Sequence, residues 1–286
     1  MIEKIINKFN DFFSKKNLKL KLFNQLLSFL SLIYIFNLFS NLNYSLNINK
    51  NIFLAMLFVF IAYLLQALSW SLILNDSFNS QSVNVWLTTL IGKYIPFKIG
   101  SIVMRFSKDY ELKLNVRNSN KYLSSILKEI FLQIITGLSF VLLFILSALE
   151  MNIFVRNLFL VLMFFLLFYK INKKKIFLIY IFNLLSYLAF AFSFNTLISG
   201  FFNGDSIVLS IFYIFVSLLT ILFIGTPAGL GVREFLYIYI PQKLNMNFSF
   251  EESVLTETAI NLRVLLIFSD VLIFFFMFIF NKYAKH

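Results

Sequence analysis

The stretch Gly225-Thr226-Pro227-Ala228-Gly229-Leu230-Gly231-Val232-Arg233-Glu234 follows the apolar run 207–224 directly, with no polar linker between them. Helix breakers at membrane depth free backbone N–H and C=O groups, which persist only where other protein or a water-filled cavity satisfies them. An adjacent arginine and glutamate add the cost of intramembrane charge, which by default marks a functional site. The stretch 225–240 therefore reads as a broken, re-entrant segment. The bland alternative is a Gly-rich surface turn followed by an amphipathic helix lying flat, since short apolar segments are ambiguous between interfacial and re-entrant.

A second interrupted stretch weighs against that alternative. Residues 83–106 are apolar but carry Gly92, Pro96 and Gly100, with Lys93, Lys98 and Arg105 close by. Proline removes a donor and clashes with the preceding turn, so the sequence predicts a helix break near Ile95. The plain role for the three cations is snorkelling to the interface. One Pro/Gly-broken stretch in each half is, however, the pattern that points to a binding site between repeats in transporter folds. Exposed N–H groups at a broken helix, together with Lys or Arg, suit a phosphate, and a lipid headgroup fits that chemistry.

Composition supports a bilayer as solvent. The chain is 60% hydrophobic over 286 residues and holds 40 phenylalanines, more apolar surface than a soluble core of this size hides. It has no cysteine, which removes disulfides, thiolate metal sites and cysteine nucleophiles, and its one histidine is His286. Histidine-based catalysis and His-ligated metal are not expected. No Asp-x-Asp motif and no phosphate-binding Gly-x-x-x-x-Gly-Lys-[Ser/Thr] motif occurs, so neither a sugar-nucleotide enzyme nor direct ATP drive is expected, and no cofactor is assigned. The net charge of +12 bears on orientation and anionic headgroups rather than nucleic acid.

The expected fold is an all-α polytopic membrane protein with about seven or eight transmembrane helices and two broken, re-entrant segments. Residues 1–21 form a basic N-terminal segment, read as a cytoplasmic amphipathic helix or a solvated tail, without a signal-peptide cleavage site. The transmembrane domain covers 22–280, with spans at 22–42, 52–74, 122–149, 153–169, 176–199, 207–224 and 254–280, and 281–286 is a short basic tail. Residues 107–121 read as a polar connector and 170–175 as a compact basic loop. Basic residues place the N-terminus and both of these connectors inside, in a cell membrane, whereas the side of the C-terminus depends on whether 225–240 completes a crossing. Polar stripes mark three spans: Gln66, Ser69 and Trp70; Glu129, Gln133 and Thr136; Asn183, Ser186 and Tyr187. The last span carries Glu257 and Asn261 on one stripe, and Arg263 two turns before Asp270 on another. A counter-ion for Arg263 is expected among Glu234, Glu257 and Asp270. Individual asparagines are given little weight in so Asn-rich a chain.

Gly-Lys-Tyr-Ile-Pro-Phe-Lys-Ile-Gly-Ser followed by Arg105, and Thr-Pro-Ala-Gly-Leu-Gly-Val-Arg-Glu at 226–234, resemble the two signature stretches of the lysylphosphatidylglycerol synthase transmembrane-region family, the flippase-like integral membrane proteins. Gly92, Pro96, Gly100 and Arg105 match the first signature, and Pro227, Gly229, Gly231, Val232 and Glu234 the second. Phe97 stands where the family often has glycine and Ser101 where it often has an acidic residue. The resemblance implies lipid handling or translocation without the soluble aminoacyl-transferase domain of the synthases. The leading expectation is thus a translocase whose partners are membrane lipids, with headgroup candidates Lys93, Lys98, Arg105, Arg233, Glu234 and Arg263. A non-catalytic subunit that positions a lipid-modifying enzyme or glycosyltransferase is the alternative, and a lipid glycosyltransferase ranks below both.

Overall fold

A computed structural model describes residues 51–75, 77–94, 99–111, 119–148, 173–200, 206–222, 232–243 and 252–283, together with Phe202 and Gly229. The N-terminal segment 1–21, the spans at 22–42 and 153–169, and Pro96, Lys98, Pro227 and Gly231 lie outside these residues. Every regular element among the described residues is helical: α1 (Asn51–Asn75), α2 (Ser80–Thr88), a 3₁₀ turn (Leu90–Tyr94), α3 (Ile99–Glu111), α4 (Ser119–Ala148), α5 (Lys173–Ile198), α6 (Ser206–Leu219), a 3₁₀ turn (Thr220–Leu222), α7 (Val232–Lys243) and α8 (Glu252–Tyr283).

Four of these helices, α1, α4, α5 and α8, are long and apolar enough to cross a membrane. With 25 residues, α1 extends about 37 Å against a hydrocarbon core of about 30 Å. Their outward faces keep large apolar side chains exposed, among them Phe53, Phe131, Phe192 and Phe276, which only lipid solvates without cost. The protein is an integral membrane protein.

α1 and α5 form the most extensive helix pair. On α1, Ala55, Val59, Ala62 and Ala67 are completely buried. The first three, spaced by four and three residues, share one face of the helix, and small residues there let neighbouring backbones approach. Ser193 on α5 uses that proximity to donate a hydrogen bond to the Ala55 carbonyl at 2.8 Å.

The first broken stretch loses its α-helical form before its proline. α2 starts at Ser80, capped by Asn79, whose side chain accepts from the Gln81 N–H, and gives way after Thr88 to a 3₁₀ turn that ends at Tyr94; Ile95, near which the break was expected, lies outside the described residues. The cause of the change is the Thr-Thr pair. Thr88 Oγ1 bonds back to the Asn84 carbonyl at 2.9 Å and Thr89 Oγ1 to the Val85 carbonyl at 2.8 Å, while the Thr89 N–H is shared between the Val85 and Trp86 carbonyls. Such back-bonding competes with the α ladder and tightens the chain into the 3₁₀ turn. The expected connector 107–121 is also corrected, because α3 runs on to Glu111 and α4 begins at Ser119. Likewise α5 takes in Lys173–Lys175 of the basic loop, and α8 carries the first half of the presumed tail to Tyr283.

Among the described residues, neither broken stretch contains a helix able to cross. α2 has 9 residues and α7 has 12, about 13 and 18 Å of helix. Both pack against the long helices. The α7 residue Tyr237 is fully buried and donates to the Leu209 carbonyl of α6 at 3.1 Å. α2 is tied to the end of α8 by reciprocal amide hydrogen bonds between Asn84 and Asn281, the return bond from Asn281 measuring 2.9 Å.

Gly92 is where the 3₁₀ turn meets α3. A Cβ there would lie 2.8 Å from both the Cα and N of Ser101, so the clash is with backbone and has no soft way out. Gly92→Ala is expected to cost about 1–3 kcal/mol, as overpacking of a tight contact does. Unfolding of the purified variant in detergent checks this; a wild-type midpoint would show that the two elements separate freely.

Candidate functional site

The broken stretches converge on a cavity of about 340 Å³ enclosed by α1 to α8, into which Lys93, Arg105, Arg233 and Arg263 all contribute. Four cations in a largely apolar protein require compensation, because an isolated charge taken out of water costs several kcal/mol even after relaxation. Three of them find it on another element.

Lys93, on the first 3₁₀ turn, places Nζ 2.7 Å from Asp270 Oδ2 of α8 and donates to the Tyr63 hydroxyl of α1 at 2.9 Å. The Tyr94 hydroxyl donates to the same Asp270 oxygen. Lys93 Nζ also lies 4.9 Å from the centre of the Tyr63 ring. Asp270 is completely buried, so this lysine and tyrosine are what permit a carboxylate there.

Arg105 of α3 meets Glu129 of α4 at 2.6 Å through Nη1 and Oε2. The other oxygen of Glu129 accepts from Trp86 Nε1 at 2.7 Å and, more weakly, from Gln133 Nε2 at 3.4 Å. The guanidinium sits 5.1 Å from the Trp70 ring and 5.2 Å from the Trp86 ring, so both tryptophans of the chain stack on one arginine. Flat delocalised charge makes Arg suited to that position where Lys is not.

Arg263 of α8 faces Glu234 of α7, with Nε 3.6 Å from Oε1. Its sequence neighbour Arg233 is arranged differently. Arg233 lies over the ring of the fully buried Tyr213 at 5.5 Å, and its Nε has no hydrogen-bond acceptor among the described residues. Among those residues no carboxylate pairs with it. It also sits in the first turn of α7, where the helix dipole disfavours a cation and favours an anion.

These contacts sort the sequence candidates. Arg233 and Glu234 are adjacent but do not form a pair with each other; Glu234 serves Arg263 instead. Of the three carboxylates expected for Arg263, Glu234 is the one in contact, and Asp270 is taken by Lys93 despite sharing a helix with Arg263. Lys93 and Arg105 turn inward to carboxylates rather than snorkelling. Glu129 and Gln133 line the cavity, whereas Thr136 bonds back to the Leu132 carbonyl at 2.6 Å within α4. Gln66 reaches the cavity wall, and Ser69 and Trp70 are buried beside it. Glu257 and Asn261 do not line the cavity.

Gly92 and Gly100 are buried where the first stretch folds on itself. Gly229 adopts φ 73°, the left-handed region that other residues resist, and a Cβ there would meet Thr220 Oγ1 at 2.9 Å. It thus turns the chain tightly against the second 3₁₀ turn, just before Arg233. Tyr63, Trp86, Tyr94 and Tyr213 were not singled out in the sequence. For Trp86 a signal existed: it is one of only two tryptophans, inside an interrupted stretch.

Comparison of the chain with protein-family models, with curated proteins and with solved structures finds no match, so the site rests on its own geometry.

Glu129→Ala, which leaves Arg105 without its carboxylate, is expected to destabilise the protein by about 3–5 kcal/mol. The double replacement Arg105→Met with Glu129→Leu is expected to cost less than the single one. Denaturation of both variants in detergent measures the difference, and a double variant that loses more than Glu129→Ala would contradict the coupling.

Proposed function

We propose that this protein binds the anionic headgroup of a membrane lipid in the cavity between its two broken stretches and moves it across the bilayer, as a lipid translocase. The observation that carries the reading is Arg233: a cation lining a largely apolar cavity, at a helix N-terminus, with no carboxylate of its own among the described residues. Phosphate chemistry suits that place, since a guanidinium fork and helix N–H groups both favour an anion.

The architecture supports the same reading. Short elements from both halves, α2 with its 3₁₀ turn and α7, meet at the cavity as discontinuous helices do in transporters. In this reading the stretch 83–106 is re-entrant and the spans at 22–42, 153–169 and 207–224 cross beside the four long helices, for a total of seven, or eight where 225–240 completes a crossing. The N-terminus then faces the cytoplasm and the membrane is the cell membrane, as the basic segments favour. The signature-like residues Gly92, Gly229 and Arg105 lie around this cavity, in keeping with membership of the flippase-like family.

Reconstitution into proteoliposomes with fluorescent phosphatidylglycerol and polyprenyl-phosphate-sugar probes tests the proposal. Wild-type protein is expected to accelerate transbilayer movement of at least one probe, and Arg233→Gln to slow it by roughly tenfold or more, the worth of a charged hydrogen bond. Glu257→Gln, away from the cavity, is expected to behave as wild type. Folded protein that moves neither probe contradicts the proposal and favours a subunit that positions a separate lipid-modifying enzyme.

A further inference from the structure

A second recess lies away from the central cavity and shares none of its lining residues. It is a groove of about 400 Å³ between α1 and α8. Phe53, Leu57 and Phe60 line it from α1, and Ser269, Leu272 and Phe276 line it from α8, so each helix offers one continuous stripe at three- and four-residue spacing. Of these six side chains only Ser269 is polar. It is buried, and its Oγ has no hydrogen-bond partner among the described residues. It does not even take the carbonyl four residues back, as the hydroxyls of Thr136 and Ser210 do within their own helices. We infer that the groove binds a lipid-soluble quinone, a flat ring with carbonyl oxygens carried on an apolar tail, and that Ser269 donates a hydrogen bond to a ring carbonyl.

Depth selects the occupant. Ser269 stands near the middle of the apolar span Ser253–Asn281, with about 18 Å or more of helix to either end. A hydrocarbon core of about 30 Å keeps the ester carbonyls and headgroups of membrane lipids about 15 Å from such a residue. An acyl chain in the groove carries no acceptor at that depth and leaves the hydroxyl unmet, at the cost of a buried donor without a partner. A quinone ring is uncharged, so it enters hydrocarbon and brings acceptor oxygens with it. Size and surface agree. The volume falls within the about 300–1,000 Å³ of small-molecule sites, which combine an apolar lining with a few polar groups. Phe53 and Phe276 are both largely exposed, so aromatic faces are available for offset stacking on a flat ring. Ser269 Oγ is enclosed at the floor of the groove, and a rotation between staggered χ1 positions is the movement that presents it to the ring.

The test uses the purified full chain with a photoreactive azido-benzoquinone on a decyl tail, and locates the adducts by mass spectrometry. Adducts are expected on α1 and α8 beside the groove. Excess decylubiquinone is expected to suppress them, and decylbenzene, which has the tail and a ring without carbonyls, is not. Ser269→Ala is expected to weaken decylubiquinone, titrated by its shift of the thermal midpoint, roughly fivefold, the worth of one neutral hydrogen bond. Without quinone the same variant is expected to keep the wild-type midpoint, because its hydroxyl has no partner to lose. Leu272→Trp, on the exposed side of the groove, fills it and is expected to abolish labelling there. Adducts that are absent from the groove, or confined to the central cavity, overturn the proposal. Equal suppression by decylbenzene assigns the groove to any apolar chain and overturns it as well. Unchanged decylubiquinone affinity in folded Ser269→Ala, or a lowered midpoint for that variant without quinone, contradicts the role of the hydroxyl and with it the choice of ligand.

Discussion

A charge inside an apolar protein must be matched, and that requirement holds the two broken stretches of this chain in place. Lys93 sits on a short 3₁₀ turn that has little helical hydrogen bonding of its own, and its contact with Asp270 fastens the turn to α8. Arg105 fastens α3 to α4 through Glu129 in the same way, and Glu234 fastens α7 to α8 through Arg263. Each pair joins a short element to a long one. The pairs therefore act as cross-links between pieces that cannot span a membrane and helices that can. Buried ion pairs are poor sources of net stability compared with apolar packing, but breaking one is costly, which suits a role in fixing geometry.

That geometry gives the cavity its character. Aromatic rings supply much of the support: Trp70 and Trp86 hold Arg105, Tyr63 and Tyr94 hold Lys93, and Tyr213 underlies Arg233. A ring face attracts a cation without neutralising it. Arg233 is thus held in place half-buried, with no carboxylate among the described residues to neutralise it. The left-handed turn at Gly229 and the close approach at Gly92 bring the two interrupted stretches into the small volume where this matters.

The long helices were legible in the sequence because bilayer thickness dictates the length of an apolar run. The expected spans 52–74, 176–199 and 254–280 correspond to Asn51–Asn75, Lys173–Ile198 and Glu252–Tyr283. The existence of the two interruptions and their cations was also legible from glycine and proline. The change from α2 to a 3₁₀ turn was not, because Thr88 and Thr89 cause it by side-chain bonds to the backbone, which neither glycine nor proline signals. Nor were the pairings, since Lys93 meets an aspartate on a helix far away in the chain and helical periodicity relates only residues of one helix. The Asn84–Asn281 link fell to the same limit: in an Asn-rich chain neither residue stands out until the fold brings them together.

The central claim is that Arg233 is the cation reserved for a lipid phosphate. Native mass spectrometry of the protein released from its own membranes, with wild type beside Arg233→Gln, tests it most directly. The account predicts an anionic phospholipid retained on the wild-type chain and lost from the variant, with both proteins folded. Equal retention of the same lipid by folded Arg233→Gln would contradict it, and would place any lipid on the outer face of the helices rather than in the cavity.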